Sequence, residues 1–292
     1  ASPMLFIPDV DRLVDPAALV EDIAAALRAG GRVLPRRALE FGGVWFAPMA
    51  AYVEGMGIGA KLVGIYPEAR PSVRALAVLI DARSGEPLAV ADGTRLTGWR
   101  TAAASALAAK LLGARADFVG VIGAGVQAEY HIRVFREVLK PSRVAVYSRS
   151  RAAELASRLG VEVAGLEDVL RADVVVAATN SREPVVRGAS LAPGSLVISV
   201  GAPRPVRELD DAVRARAKCA VVDSPEAPEE TDDVAGLELV PLGDLVSGRG
   251  LCRRGEIALY KSVGYAPFDV AAVYHVYRRA RELGAGVQLV SS

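Results

Sequence analysis

The sequence is poor in cysteine and histidine, and this scarcity limits the chemistry that it can support. Its 292 residues contain two cysteines and two histidines. Cys219 and Cys252 form no Cys-x-x-Cys pair and are too few for a disulfide framework, so the sequence predicts two free thiols in a reducing compartment. His131 and His275 fall on predicted helices, where packing is the expected role, and they are too few for a metal site.

Long apolar runs and excess charge are also lacking. No stretch of 18 apolar residues occurs, and the first residues show no charged segment followed by an apolar one, which predicts a cytoplasmic protein. Lysine and arginine total 35 against 34 acidic residues, so neither nucleic acid nor an anionic membrane is expected as a partner. Side-chain amides are limited to Asn180, Gln127 and Gln288, which is typical of thermophilic proteins, although a GC-rich genome also favours arginine over lysine.

The order of the apolar runs predicts an α/β protein with two domains. The N-terminal part begins with a helix, continues as strands separated by tight turns and ends in an alanine-rich helix, which indicates an antiparallel or mixed sheet. From Asp117 onward, short apolar runs alternate with helices, the pattern of a parallel, doubly wound sheet. The acidic segment 225–233 predicts a loop, and 267–283 has the spacing of a last helix before a short strand.

A glycine-rich turn at residues 123–128, GAGVQA, carries the GxGxxA fingerprint of dinucleotide binding. Gly123 makes the tight turn out of a strand, and Gly125 lets the backbone approach a pyrophosphate at the N-terminus of the next helix. A glycine turn alone is weak support, but this one lies between a strand and a helix in an alternating series. The sequence therefore predicts a nicotinamide cofactor site that includes Gly123, Gly125, Val126 and Gln127.

The strand that follows this helix predicts which nicotinamide cofactor binds. It is followed by Ser148, Arg149, Ser150 and Arg151, and no acidic residue occurs between residues 142 and 153. An NAD site usually places Asp or Glu here, to accept the ribose 2′-hydroxyl. Two arginines and two hydroxyls suit a 2′-phosphate instead, so NADP(H) is expected rather than NAD(H). The alternative is a solvated, basic start of a helix.

Three basic residues in the N-terminal half are candidates for substrate binding. Lys61 interrupts an otherwise apolar strand, where a lysine either faces solvent or is buried for a purpose. Arg37 follows Pro35 at the start of the first strand region, and Arg100 precedes the alanine-rich helix. Each one alone is typical of a surface charge, but together the three would form a cationic pocket for a substrate carboxylate.

With these motifs, the chain resembles the ornithine cyclodeaminase/μ-crystallin family nearly end to end and in the family's order. The resemblance rests on PxR (35–37), GAKLV (59–63), RTAAASALAAKLL (100–112), GVIGAGVQAEYH (120–131), ELD (208–210), VVDS (221–224), LGDLVSGR (242–249) and YKSVGYAPFDVAA (260–272). This combination of blocks is specific to the family.

The resemblance implies an architecture and a set of site residues. A Rossmann domain (114–263) would be inserted in an α+β domain (1–113 plus 264–292) that binds substrate and forms a homodimer. Arg37, Lys61 and Arg100 would hold the substrate carboxylate, and Lys61 would be the catalytic proton-transfer residue, its pKa lowered by the two arginines. Lying along the cofactor would be Gly125 to Gln127, Thr179, Gly201 and Ser262.

One departure from the family pattern bears on the reaction. Cyclodeaminases carry an Asp in a stretch such as GxDxPGKxEL, whereas Pro203 stands at that place here. Proline can neither transfer a proton nor pair with an ammonium group. We therefore expect an NADP(H)-dependent oxidoreductase acting on the C–N bond of a small α-amino or α-imino acid, either like alanine dehydrogenase or like a cyclic ketimine reductase.

Two alternatives stay open on the sequence alone. One is a true ornithine cyclodeaminase, in which Glu208 or Asp210 replaces the missing Asp. The other is a crystallin-like protein that binds NADPH without turnover, although a binder has no need of a proton-transfer lysine at position 61.

Overall fold

The computed structural model describes residues 3–201, 206–253 and 255–289. Pro203, on which the sequence departs from the cyclodeaminases, lies outside the described residues. The chain divides into two compact units: Ala1–Arg100 with Tyr265–Ser292, and Thr101–Gly264. The predicted fold class is confirmed, a Rossmann-type parallel sheet inserted in a second α/β unit.

The elements up to the second unit are β1 (Met4–Ile7), α1 (Pro16–Arg28), β2 (Gly31–Val33), β3 (Leu39–Phe41), β4 (Val44–Val53), β5 (Gly57–Ile65), β6 (Val73–Ile80), β7 (Pro87–Asp92) and α2 (Gly93–Leu111). Those of the second unit are β8 (Phe118–Ile122), α3 (Val126–Val138), β9 (Arg143–Tyr147), α4 (Ala152–Leu159), β10 (Glu162–Val163), α5 (Leu166–Val169), β11 (Val174–Ala177), a 3₁₀ turn (Gly188–Ser190), β12 (Leu196–Ser199), α6 (Asp211–Ala217), β13 (Cys219–Val222), α7 (Ala227–Glu230), β14 (Glu238–Pro241), α8 (Leu242–Val246) and β15 (Ala258–Lys261). The chain then returns to the first unit with α9 (Ala266–Leu283) and β16 (Val287–Leu289).

The sheet of the first unit is the predicted meander, extended at both edges. Its order is β16-β1-β7-β6-β5-β4-β2, and β3 also pairs with β4. Strands β4 to β7 are antiparallel neighbours, whereas β1 runs parallel to β7. Pro16 starts α1 in the one turn where a missing N–H costs nothing, and Asp15 caps that helix by accepting from the N–H of Ala18.

Helix α9 covers one face of this sheet, and a glycine sets how closely it packs. A Cβ at Gly59 would lie 2.8 Å from Cγ2 of Val270 and 3.3 Å from its Cα, so only glycine lets α9 lie this close to β5. The helix is also joined to α1, because buried His275 contacts Asp22 through Nδ1 at 2.8 Å and accepts the N–H of Asp15 through Nε2. These contacts of His275 with α1 agree with the packing role expected from the sequence.

The second unit is a wholly parallel sheet with the order β10-β9-β8-β11-β12-β15-β13-β14. The order reverses between β8 and β11, and ligands of doubly wound folds bind at such a switch point, outside the carboxyl ends of the strands. The central strands are buried on both faces, which explains their continuous valine and isoleucine content. Among the described residues, no helix is both long enough and apolar enough to span a membrane.

Two predictions for the second unit are wrong. Cys219 and Cys252 are joined in a disulfide with a Cα–Cα distance of 5.8 Å, because the chain after α8 returns to the start of β13. The N–H of Gly255 donates to the carbonyl of Ala217 at 2.7 Å and holds that return. The acidic segment 225–233 contains the short helix α7 rather than loop alone, and its proline lies in the first helical turn, where proline is tolerated.

Candidate active site

The first unit buries a lysine, an arginine and an aspartate together. Lys61 lies on the face of β5 that α9 covers, and its side chain is 2% exposed. Its Nζ lies 3.0 Å from Oδ1 of Asp269 on α9 and 3.1 Å from Oγ1 of Thr97 on α2. Arg100, also on α2, donates from Nε to the same Oδ1 at 2.9 Å. Three elements therefore bring two cations to one carboxylate oxygen.

This arrangement changes the acidity of Lys61 and leaves its charge incompletely balanced. Burial disfavours the ammonium form and, with the charge of Arg100 next in size, lowers the pKa of Lys61 to about 8. The Asp269 carboxylate raises that pKa in opposition. When Lys61 is protonated, the cluster carries two positive charges and one negative charge, and buried charges are stable only when they are paired. A bound anion would complete the cluster.

Of the three predicted carboxylate ligands, the structure brings Lys61 and Arg100 together and leaves Arg37 apart. The side chain of Arg37 is exposed in the segment between β2 and β3. Its neighbour Arg36 is half-buried, lies 3.8 Å from Sδ of Met49 and adds to the lowering of the pKa of Lys61, with a smaller effect than Arg100. The expected lowering of that pKa is present, but burial is its largest cause.

Asp269 is a site residue that sequence reasoning missed. It lies in the block 260–272 that supports the family resemblance, and it is the one acid in the first turn of α9. An acid on the apolar stripe of a helix is a signal of a buried partner. Its Oδ2 atom is buried and has no hydrogen-bond partner among the described residues.

In the second unit, the fingerprint glycines have the geometry that a dinucleotide needs. Gly123 has φ +120°, and a Cβ there would lie 2.2 Å from the carbonyl oxygen of Ala178, so the turn requires glycine. Gly125 caps α3 without a side-chain hydrogen bond, and nothing lies within 4 Å of where its Cβ would be. No described atom beside Gly125 therefore blocks an anion from approaching the first N–H groups of α3.

Two side chains one turn apart on α3 differ in whether their buried polar atoms have hydrogen-bond partners. Gln127 carries a buried Oε1 that accepts no hydrogen bond from any described residue. His131 is buried, and desolvation lowers its pKa to about 4, so it is neutral. Its Nδ1 lies 2.7 Å from the carbonyl of Gln127 and its Nε2 lies 2.8 Å from Oγ of Ser105, so a neutral ring donates from Nδ1 and accepts at Nε2. His131 packs the helix, whereas Gln127 retains an acceptor for a ligand.

The segment after β9 presents the predicted hydroxyls and arginines at the surface. Arg149, Ser150 and Arg151 are exposed, and Ser148 is half-buried. Arg151 lies 3.5 Å from Oε2 of Glu154, one turn into α4. Since the segment holds no acid, the ribose would meet hydroxyls and guanidinium groups there.

A buried carboxylate joins the ends of β11 and β12. Oε2 of Glu208 accepts from the backbone N–H and the hydroxyl of Thr179, at 3.0 and 3.1 Å. Oε1 accepts from the hydroxyl of Ser199 and the N–H of Gly201, at 2.9 and 2.8 Å. Burial raises the pKa of Glu208, and the charge of Lys261 with the hydrogen bonds from the Thr179 N–H, Ser199 and Gly201 acts in the opposite direction. Thr179 and Gly201, both predicted to lie along the cofactor, are therefore held by one side chain.

A second buried pair supports the same edge of the sheet. Lys261, at the end of β15, lies 2.8 Å from Oδ2 of Asp233 and donates to the carbonyl of Gly201 at 2.6 Å. The carboxylate of Asp233 also accepts the backbone N–H groups of Glu208 and Leu209. Beyond the strand, Asp223 accepts from the hydroxyl of the predicted cofactor residue Ser262 at 2.8 Å.

These contacts bear on the cyclodeaminase alternative. The carboxylate of Glu208 accepts its four hydrogen bonds from backbone and hydroxyl groups of its own unit. Asp210 caps α6 through the N–H of Val213 and accepts the N–H of Gly188. Both acids thus have structural roles that leave neither arranged to pair with a substrate amine. Among the described residues, no group of three or more histidine, cysteine or acidic side chains is placed to hold a metal ion.

Comparison with known proteins identifies relatives along nearly the whole chain. The profile of the ornithine cyclodeaminase/mu-crystallin family matches residues 9–284. Ketimine reductase mu-crystallin of Mus musculus is 36% identical over 232 residues, 74% of each chain.

Solved structures are similar over the full length. The structure of Thermococcus litoralis Delta(1)-pyrroline-2-carboxylate reductase in complex with NADH and L-proline matches with a TM-score of 0.88 and 31% identity, covering 98% of this chain and 100% of that one. An archaeal alanine dehydrogenase dimer with bound NAD matches with a TM-score of 0.87 and 29% identity, covering 98% and 99%.

Proposed function

Because the chain belongs to the ornithine cyclodeaminase/mu-crystallin family, we propose that it is an NAD(P)H-dependent oxidoreductase acting on the C–N bond of a small α-amino or α-imino acid. The relatives support this, since they include a ketimine reductase, a pyrroline-2-carboxylate reductase and an alanine dehydrogenase. The candidate substrates are therefore a cyclic ketimine carboxylate, or a 2-oxo acid together with ammonia.

The observation that carries the proposal is the buried cluster of Lys61, Arg100 and Asp269. Its uncompensated positive charge suits a substrate carboxylate, and Arg100 uses Nε for Asp269, so its two Nη groups can bind both carboxylate oxygens. A lysine with a pKa of about 8 can give or take a proton near neutral pH, as a catalytic acid–base must. A role for Arg37 as a third carboxylate ligand stays a prediction.

A nicotinamide cofactor held by Gly123, Gly125 and Gln127 would supply the hydride for imine reduction. Lys61 donates a proton to the imine nitrogen and becomes a neutral amine, which takes its proton back from water. In the reverse direction, the neutral amine removes the proton from the substrate nitrogen. The two cations fix the carboxylate, so that positioning contributes to the rate.

We also propose NADP(H) as the preferred cofactor. Gly123, Gly125 and the unpartnered oxygen of Gln127 fit a dinucleotide of either kind. The preference rests on the segment 148–151, because its arginines and hydroxyls suit a 2′-phosphate. The related structures hold NADH and NAD, so this preference would distinguish the chain from them.

The active form that we propose is a homodimer. On the face of the first sheet that α9 leaves open, Tyr52, Ile58, Leu62 and Leu76 are each about 40% exposed. Tyr52 pairs with Ile58 and Leu62 pairs with Leu76 across adjacent strands, so the four form one apolar surface. A surface of this kind marks an association site, and the related alanine dehydrogenase is a dimer.

We further propose that the protein works at high temperature. Its near absence of side-chain amides and its disulfide support this, because disulfides are retained inside cells mainly in hyperthermophiles. A cytoplasmic location stays a prediction.

One set of assays tests the proposed activity. Purified protein with NADPH or NADH is supplied with pyrroline-2-carboxylate, piperideine-2-carboxylate, or pyruvate plus ammonia, and oxidation of the cofactor is followed by the loss of its near-ultraviolet absorbance. We expect turnover of at least one of these substrates. Proline formed from ornithine without net consumption of cofactor would show a cyclodeaminase instead, and binding of NADPH without any turnover would show a binding protein.

A further inference from the structure

We propose that Thr97 and Asp269 are positioning residues that orient Lys61, so that one defined site on its nitrogen is presented to the substrate. The proposal rests on the proposed function, since it assigns the residues that act through the catalytic lysine. The two residues give a geometric reason why the proton moves between Lys61 and the substrate nitrogen along a single direction.

The hydrogen bonds of Thr97 make its oxygen an acceptor for Lys61. Its hydroxyl lies 2.7 Å from the carbonyl oxygen of Gly93, which can only accept, so the hydroxyl hydrogen points to Gly93. Oγ1 also lies 3.1 Å from Nζ of Lys61 and therefore receives an N–H from it. The hydrogen bond of Thr97 to Gly93 thus makes Lys61 the donor and Thr97 the acceptor.

Asp269 supplies the second acceptor. Its carboxylate lies 3.0 Å from Nζ of Lys61 and can only accept while it is ionised. Arg100 donates to the same oxygen from its other side, which holds the carboxylate in place. An ammonium group has three N–H bonds, and two of them now have assigned acceptors.

The third position on the nitrogen is the reactive one. When Lys61 is protonated, this position holds the N–H that is given to the substrate nitrogen. When Lys61 is neutral, its two remaining N–H bonds stay with Thr97 and Asp269, and the lone pair occupies the same third position. The residue therefore gives and takes a proton along one line without rotating, which suits a reaction that runs in both directions.

Both acceptors are on helices whose position is set by close backbone approach. A Cβ at Gly93 would lie 2.8 Å from the backbone of Ala75, so the start of α2 is held against β6. The contact between Gly59 and Val270 does the same for α9, next to Asp269. Because both helices are packed in this way, the positions of Thr97 and Asp269 are fixed more precisely than they would be on loops.

The charged groups around Lys61 come from three parts of the first unit. Asp269 on α9 raises its pKa, while Arg100 on α2 and Arg36 in the segment between β2 and β3 lower it. Removing the charge of Asp269 therefore moves the titration of Lys61 to lower pH, whereas removing the neutral hydroxyl of Thr97 takes away an acceptor and no charge.

Thr97→Val and Thr97→Ser form the first test. Valine keeps the shape but cannot accept a hydrogen bond, so we expect kcat for imino-acid reduction to fall by roughly tenfold or more, with KM changed by less than about threefold. Serine keeps the acceptor and is expected to restore kcat to within about threefold of the wild type. Equal kcat values for the valine variant and the wild type would overturn the role of Thr97.

Asp269→Asn forms the second test, and it does not depend on turnover. The chain has five lysines, so protein carrying 13C at the lysine ε-carbons gives few NMR signals, and loss of one signal in Lys61→Arg assigns Lys61. We expect the Lys61 titration of the NADPH complex to move below that of the wild type in Asp269→Asn, and the pH profile of kcat to move with it. An unmoved titration would overturn the role of Asp269.

The two tests separate this proposal from the proposed function. If the wild type reduces no imino or oxo acid, the proposed function fails, yet the Lys61 titration still reports whether Asp269 acts on it. If the wild type is active but Thr97→Val and Asp269→Asn both behave like it, the positioning proposal fails alone. Unchanged NADPH affinity and melting temperature in Thr97→Val confirm that the variant is folded.

Discussion

At the level of single residues, the proposed proton transfer depends on one lysine, Lys61, whose apolar neighbours in the sequence make it unusual. Lys61 was recognisable because it interrupts an apolar strand, and Arg100 because it precedes an alanine-rich helix. Asp269 is not recognisable from the sequence, because its importance depends on α9 contacting β5, and Asp269 lies 208 positions after Lys61. A single sequence shows which residues are unusual but not which of them meet.

The pH dependence of the reaction follows from the lowered pKa of Lys61. Imine reduction needs the protonated lysine, which is the main form below about pH 8 and is lost above it. We expect kcat/KM for reduction to be level below that pH and to fall about tenfold per unit above it, while amine oxidation rises through the same range. Initial rates from pH 6 to pH 10 in both directions measure this. A reduction rate that is constant over the range would contradict the assigned acid.

Cofactor preference is also decided by single residues. Arg149 is exposed, and no ion pair is seen for it among the described parts of the chain, so it is placed to bind a 2′-phosphate. We expect Arg149→Ala to raise the Kd for NADPH roughly tenfold and the Kd for NADH less than twofold, measured by cofactor fluorescence. Arg149→Lys, which keeps the charge, is the matched control. Equal losses for both cofactors would argue against NADP(H) as the preferred cofactor.

At the scale of elements, the first strands and helices of the Rossmann series are predictable because these strands are apolar, continuous and separated by helices. The fingerprint at 123–128 lies where the strand order reverses, as the alternating pattern indicated. The short strands β1, β2, β3, β10, β14 and β15 are not predicted, since two to four residues hold too little periodicity. The role of Glu208 is not visible in the sequence either, because its four donors come from the ends of two strands that only the folded sheet brings together.

Glu208 provides a test of how the ends of β11 and β12 are held. Each carboxylate oxygen of Glu208 accepts one backbone N–H, from Thr179 or from Gly201. A glutamine would place its NH2 group, which cannot accept, opposite one of these N–H groups. At least one of the two hydrogen bonds is therefore lost. One such bond is worth about 1 kcal/mol, and we expect Glu208→Gln to weaken NADPH binding about fivefold.

The measurement is the NADPH affinity together with the melting temperature. Glu183→Gln changes an exposed acid of the same unit in the same way, and it should leave both quantities unchanged. Wild-type affinity in Glu208→Gln would show that these strand ends do not depend on the carboxylate.

At the scale of the whole molecule, stability and assembly depend on features that the sequence showed only in part. Two cysteines in a chain of this length gave no reason to expect a disulfide, because their pairing depends on the path of the loop after α8. The apolar face of the first sheet was visible only as alternating strands until the structure showed which face α9 covers.

The disulfide is expected to stabilise the chain by closing a loop. Cys219 and Cys252 are 33 positions apart, and closing a loop of this size is worth about 3–4 kcal/mol in the chain-entropy model. We expect the Cys219→Ala/Cys252→Ala variant to melt roughly 10 °C below the wild type in a calorimetric scan. Reductant should lower the melting temperature of the wild type toward that of the variant and leave that of the variant unchanged. Equal melting temperatures of the wild type and the variant without reductant would contradict a stabilising role.

The dimer is tested at the centre of the apolar face. Leu62→Glu places a charge where we propose that a second copy packs, and burying an unpaired charge is costly. Light scattering should give twice the mass of one chain for the wild type and the mass of one chain for Leu62→Glu. Val163→Glu, at an exposed position of the second unit, is the control and should stay dimeric. A monomeric wild type would contradict the proposal.

The role of Lys61 is measured by the reduction of pyrroline-2-carboxylate by NADPH in the wild type and in Lys61→Ala. We predict that the wild type converts the imino acid to proline with one cofactor oxidised per product. We also predict that Lys61→Ala loses turnover by on the order of a hundredfold or more while binding NADPH with nearly unchanged affinity. Turnover that survives in Lys61→Ala would contradict the central role given to this buried lysine.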